Sequence, residues 1–203
     1  MFFRRITVGE LVTNSYLYAN EESKSAILFD AAANPEKLLK IIDENGFSLK
    51  YIFQTHAHYD HIGALDELKS KTNAKIVIHE SEVKYLYDPT LNLSYGLKIS
   101  SKPDIIVKDN DIIDFEGTKI KVIHTPGHTT GSCCFLFDYI LISGDTLFLK
   151  SIGRTDFPLG SLEDELFAIK TKLMPLNDNI TVHPGHGFAT DIGSERKENP
   201  YLI

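Results

Sequence analysis

The stretch Thr55-His-Ala-His-Tyr-Asp-His61 places three histidines and one aspartate within seven residues. Imidazole nitrogen and carboxylate oxygen together suit zinc, iron and manganese, whereas calcium and magnesium sites are built from oxygen alone. His56 and His58 lie two apart, which on an extended segment turns both rings to the same side, and Asp60 and His61 follow where the backbone must bend away. One short loop can therefore serve two ions. The run before it, Lys50-Tyr-Ile-Phe-Gln54, is apolar and β-prone, and residues 62–71 after it carry Ile62, Leu65 and Leu68 at helical intervals. The loop thus joins a strand to a helix N-terminus, a place that disfavours three imidazoles unless something coordinates them.

On the N-terminal side, residues 2–8, 15–19 and 25–29 read as strands, the last two joined as a hairpin across Asn20-Glu-Glu-Ser-Lys24. A helix starts at Asn34-Pro35 and ends at Gly46, with Leu38, Leu39, Ile41 and Ile42 on one side. Strand 51–54 delivers the histidine loop. Beyond the following helix come strand 75–78, a short helix from Glu80 and a connecting stretch, 91–103, expected to border the active site. From Asp111 the pattern is strand at 112–115, 119–123, 132–137 and 140–143, with turns at Glu116-Gly117 and Asp138-Tyr139. Residues 161–173 read as a helix capped by Ser161 with Glu163 and Asp164 in its first turn, and 180–182 as a last strand. Two blocks of strands, each followed by helices, predict two sheets packed face to face with helices outside and loops gathered at one edge.

No linker, charge block or repeat divides the 203 residues, so residues 1–203 read as a single domain. No uncharged apolar run approaches the ~20 residues needed to span a bilayer, and the N-terminus is too short in apolar residues for a signal peptide. A cytoplasmic protein with no membrane partner is expected. The net charge of −7, without a basic cluster, argues against nucleic acid as partner. A small anionic substrate stays open, because two divalent ions make a pocket locally positive. Cys133 and Cys134 are adjacent and close no useful loop, and in their apolar setting they read as core residues.

Three further segments sit just beyond predicted strands: Thr125-Pro-Gly-His-Thr129, Gly144-Asp-Thr-Leu-Phe148 and His183-Pro-Gly-His-Gly187. Each offers one strong ligand beside glycine or proline, which let a backbone turn tightly next to an ion. With the His56 cluster they resemble, in order and over nearly the whole chain, the motif series of the metallo-β-lactamase superfamily, and within it the glyoxalase II-like (hydroxyacylglutathione hydrolase-like) hydrolases. The resemblance implies an α/β (α+β) fold, a four-layer αββα sandwich of two mixed β-sheets with helices on the outer faces. It also implies that His56, His58 and His128 hold one divalent metal ion, that Asp60, His61 and His186 hold a second, and that Asp145 bridges them. Zinc is the foremost candidate, with iron and manganese also suited. Asp60 and Asp145 are the implied catalytic carboxylates. His79, His124 and His183 match no ligand position and read as structural or supporting residues, as do Asn14 and Asp30.

An aspartate at the bridging position, where true β-lactamases have cysteine or no ligand, points to ester, thioester or phosphoester cleavage. Gly153-Arg-Thr-Asp-Phe157 and Glu198-Asn-Pro-Tyr201 resemble compact glyoxalase II-like proteins, and the first motif also resembles persulfide dioxygenases. Arg154 is suited to binding a substrate carboxylate, with an ion pair to Asp156 as the structural alternative. Full-length glyoxalase II carries a C-terminal helical extension that supplies much of its glutathione site, and this sequence stops shortly after His186. The expected activity is cleavage of a thioester such as S-lactoylglutathione, or a related acyl-thiol, by a metal-bridging hydroxide; a thiol of pKa ~8.5 departs without a strong general acid. The rival is a mononuclear iron persulfide dioxygenase built on His56, His128 and Asp145. Lactonase or phosphodiesterase activity, and a non-enzymatic binding module on the same fold, rank below it.

Overall fold

The computed structural model describes residues 1–94, 96 and 99–203. Contacts divide them into two compact units, Met1–Ile78 with Val83–Ile106 and His79–Glu82 with Val107–Ile203. Tyr95, Leu97 and Lys98, part of the stretch expected to border the active site, lie outside the described residues.

In the first unit, but for the last residues of the final two strands, β1 (Phe2–Val8), β2 (Thr13–Ala19), β3 (Ser25–Phe29), β4 (Ser48–Phe53), β5 (Lys75–His79) and β6 (Ile105–Val107) form a mixed sheet in sequence order. The short links after β1 and β2 give antiparallel pairs, whereas β3, β4 and β5 run parallel because helices return the chain between them. The first of these, α1 (Pro35–Glu44), has proline in its first turn after a left-handed Asn34 and buries Leu38, Ile41 and Ile42. They join Leu17, Leu28, Ile52 and Ile76 in the core, each fully buried side chain contributing about 1.5–3 kcal/mol. The helix expected over 62–71 is instead two, α2 (Tyr59–Ile62) and α3 (Leu65–Thr72). At the break the Ala64 N–H bonds to the Ala31 carbonyl at 2.9 Å instead of continuing the helix, and glycine at 63 leaves room for the Ala32 carbonyl oxygen, which a Cβ there would meet at 2.7 Å. A last helix, α4 (Val83–Tyr87), completes the unit.

In the second unit β7 (Ile112–Phe115), β8 (Thr118–His124), β9 (Cys133–Phe137) and β10 (Ile140–Gly144) form a meander. Its turns fall where glycine and aspartate predicted them, with Glu116, Gly117 and Asp138 at positive φ. Then come a hairpin of β11 (Leu147–Phe148) and β12 (Ser151–Ile152), α5 (Leu162–Ala168) with a π-helical extension Ile169–Leu173, β13 (Thr181–Pro184), β14 (Thr190–Asp191) and α6 (Ile192–Glu198). The mixed sheet runs β14-β13-β10-β9-β8-β7, with β13 parallel to β10. Ile169, Leu173 and Ile192 pack with Cys134, Leu141 and Val182 from the sheet. Sequence reading did not find β6, β11, β12, β14 or α6. The strands span two or three residues, too few for a period, and α6 announced itself only by its cap, Asp191, which accepts from the Ser194 N–H at 2.7 Å.

Both cysteines are free and buried, and burial pushes the Cys134 thiol up to about 12. The native protein is therefore expected to resist alkylation at pH 8 and to react at both thiols in denaturant; rapid labelling of the folded chain would contradict the core assignment. Among the described residues no helix is long and apolar enough to cross a membrane.

Candidate metal centre

In the first unit, buried Gln54 ties the ends of the histidine loop together. Its backbone N–H bonds to Val77 on β5, its side-chain N–H to the His61 carbonyl, and its side-chain oxygen accepts from Ala31. His58 is extended (φ −66°, ψ 150°) and the helical turn of α2 begins at the next residue, as the spacing implied. His56, His58 and His61 are all buried; the His56 ring centroid lies 4.9 Å from that of His58 and 4.1 Å from that of His61. Asp60 Oδ2 stands 3.5 Å from His61 Nε2 and accepts the Thr13 hydroxyl at 2.9 Å.

The protons on these rings follow from Asp30, which is buried with a left-handed φ of 58°. Its Oδ1 accepts the Thr55 N–H at 2.8 Å, and its Oδ2 accepts the Thr55 hydroxyl at 2.8 Å and His61 Nδ1 at 2.9 Å. Thr55 has a single hydroxyl proton, already given to Asp30, so the 3.1 Å contact with His56 Nδ1 runs from the ring N–H to the hydroxyl oxygen. His56 and His61 are therefore both protonated on Nδ1, which turns a lone pair on each Nε2 toward the centre of the cluster.

The second unit holds a matching set. His128, in the loop after β8, donates from Nδ1 to the Arg154 carbonyl at 2.7 Å, and a carbonyl only accepts, so its Nε2 too carries a lone pair. Asp145 follows β10, and the loop after β13 is pinned beside it by the Gly185 N–H on the Gly144 carbonyl at 2.8 Å. One oxygen, Asp145 Oδ2, lies 3.7 Å from His128 Nε2 and 3.5 Å from His186 Nε2. A carboxylate facing two imidazole nitrogens in a largely buried setting calls for positive charge, and this donor chemistry fits divalent metal.

Residues 8–186 match the family described as the Metallo-beta-lactamase superfamily. The chain belongs to that superfamily. A hydroxyacylglutathione hydrolase, GloC of Haemophilus influenzae, is 35% identical over 90% of this chain and 89% of its own. The crystal structure of BLEG-1 B3 metallo-beta-lactamase superposes with a TM-score of 0.94 over 100% of both chains at 34% identity. That of TTHA1623 in a di-iron-bound form gives 0.85 over 98% of this chain and 100% of that one, at 32% identity. Two mixed sheets with flanking helices are thus the metallo-β-lactamase fold in this chain.

Other residues of this superfamily member fall as follows. The Arg154 guanidinium forks onto Asp156, Nε to Oδ1 at 2.9 Å and Nη2 to Oδ2 at 2.8 Å, and lies 4.5 Å over the Phe157 ring. The ion-pair alternative is realised, and it is the backbone of Arg154 that contacts His128; so exposed a pair contributes little to stability, and nothing in it fixes the guanidinium against a competing anion. His79 stacks on His124 at 4.0 Å, where burial and the neighbouring imidazole lower it to about 4, and His183 contacts Thr181; among the described residues none of the three falls in a group able to hold a metal ion. Sequence reading missed Thr13, Gln54 and Thr55. It also missed Glu165 on α5, whose carboxyl burial pushes up to about 9, with the Asp145 charge adding to the rise.

Proposed function

We propose that this chain is a dinuclear metal-dependent hydrolase acting on a thioester, S-lactoylglutathione or a related acyl-thiol. The observation that carries the reading is Asp145, one of whose oxygens faces the Nε2 atoms of both His128 and His186. In this reading residues 1–203 act as a single domain, His56, His58 and His128 hold one ion, Asp60, His61 and His186 the other, and Asp145 serves both. Two such ions, when bound, lower the pKa of a shared water to near neutrality and polarise an acyl carbonyl. The chain's own part is orientation: Asp30 and Thr55 fix the proton tautomer of His56 and His61, and Thr13 sets the oxygen of Asp60. Arg154 is the residue proposed to meet a substrate carboxylate, by exchanging Asp156 for it.

The name of GloC supports a thioester substrate, and the iron of TTHA1623 supports iron beside zinc and manganese as an occupant. The test is a substrate panel on metal-assayed protein: S-lactoylglutathione and smaller acyl-thiols, lactones, phosphodiesters, a β-lactam, and a persulfide with oxygen uptake recorded. Acyl-thiols are expected to turn over fastest. A chain carrying one iron and consuming oxygen with persulfide would replace this reading with the dioxygenase.

A further inference from the structure

We propose that Glu165 is a positioning residue for His128, holding the backbone of that ligand so that its ring meets the metal in one orientation. The inference rests on the reading of His128 as a ligand. Glu165 is completely buried; its Oε2 accepts the His128 backbone N–H at 2.8 Å, while its Oε1 is buried without a hydrogen-bond partner among the described residues. A carboxyl half satisfied in the interior is costly to keep, and a methyl-terminated side chain would fill the same space without that cost. Two glycines let neighbouring backbone come close here, Gly127 against the backbone of Glu165 and Gly153 first against the Asp145 carbonyl. A Cβ on Gly127 would lie 2.4 Å from the Glu165 Cα, and one on Gly153 would lie 3.1 Å from Oε1. The consequence falls on one residue: the His128 peptide is held by Glu165 and its ring by the Arg154 carbonyl, so the direction of Nε2 is fixed from both ends. Glu82 differs, since it takes the hydroxyl of Thr129 and grips the loop rather than the ligand.

Gln at this position keeps an acceptor for the His128 N–H, and Met keeps the bulk without one. Purified, metal-stripped protein is titrated with zinc against a chelator, and the cobalt-substituted form is recorded by visible absorption. E165Q is expected to hold metal within about threefold of wild type, and E165M to weaken one of the two sites by about 10- to 100-fold with a shifted cobalt spectrum. Wild-type affinity and spectrum in E165M would overturn the proposal, as would an E165Q as weak as E165M. If E165M does not fold, E165D decides: drawing the carboxyl group back by one methylene is expected to weaken the same site, and wild-type affinity there would overturn the proposal. A wild-type chain that takes up no metal would instead sink the dinuclear reading itself.

Discussion

Replacing Asp145 by alanine is expected to lower thioester turnover by about 10³-fold or more, with the secondary structure intact. The magnitude follows from the several kcal/mol that metal-ion catalysis supplies, each 1.36 kcal/mol being a factor of ten. Asp145 sits just past the end of β10, in a loop held independently by the Gly185 N–H on the Gly144 carbonyl and by a 2.8 Å hydrogen bond between the Thr125 and Thr146 hydroxyls. Removing the carboxylate therefore deletes the charge between His128 and His186 without releasing the loops that carry them. Circular dichroism, metal content and turnover measured on one preparation separate loss of the site from loss of the fold. Undiminished turnover in this variant would remove Asp145 from the mechanism.

Asp30→Asn is expected to cost metal affinity about 10- to 100-fold, and Asp30→Ala to add a stability loss of about 3–5 kcal/mol in chemical denaturation of the metal-free chain. The asparagine effect is a matter of protons. Asp30 accepts from Thr55 N–H, Thr55 hydroxyl and His61 Nδ1 with two oxygens, and an amide has one oxygen. If the amide nitrogen faces His61, the imidazole must move its proton to Nε2, the atom that offers the lone pair; if it faces the Thr55 N–H, two donors oppose each other in the interior. Alanine leaves all three donors without their acceptor and places a residue with no side-chain compensation at a left-handed φ. Wild-type zinc affinity in Asp30→Asn would show that this carboxylate does not govern the ligand tautomer.

The contrast between these two aspartates shows what a sequence displays and what it hides. His56, His58, Asp60 and His61 stand together in the chain, and His128, Asp145 and His186 each stand beside glycine at a strand end, so their chemistry leaves a local mark. The residues that orient them reach across long separations: Asp30, read from sequence only as a supporting residue with no partner named, to His61, and the unforeseen Thr13 to Asp60 and Glu165 to His128. Nothing near Glu165 in sequence distinguishes it from an acidic residue in the first turn of α5, where Glu163 and Asp164 are exposed. Arg154 drew notice for its guanidinium, yet the atom that touches His128 is its carbonyl oxygen, which every residue possesses. The fold was legible in the same uneven way. Strands of five to seven residues were read as β-prone runs and the buried face of α1 from its helical spacing, whereas the break after Gly63 goes with the Ala64 N–H turning to the Ala31 carbonyl, a contact that no local pattern encodes.

The most direct test is a titration of metal-stripped protein with a divalent ion, zinc first, while acyl-thiol hydrolysis is followed. Turnover is expected to be absent without metal and to rise until two ions per chain are bound, then to level off. Full turnover by the stripped chain, or saturation at a single ion, would contradict a dinuclear hydrolase built on the Thr55–His61 loop, His128, Asp145 and His186.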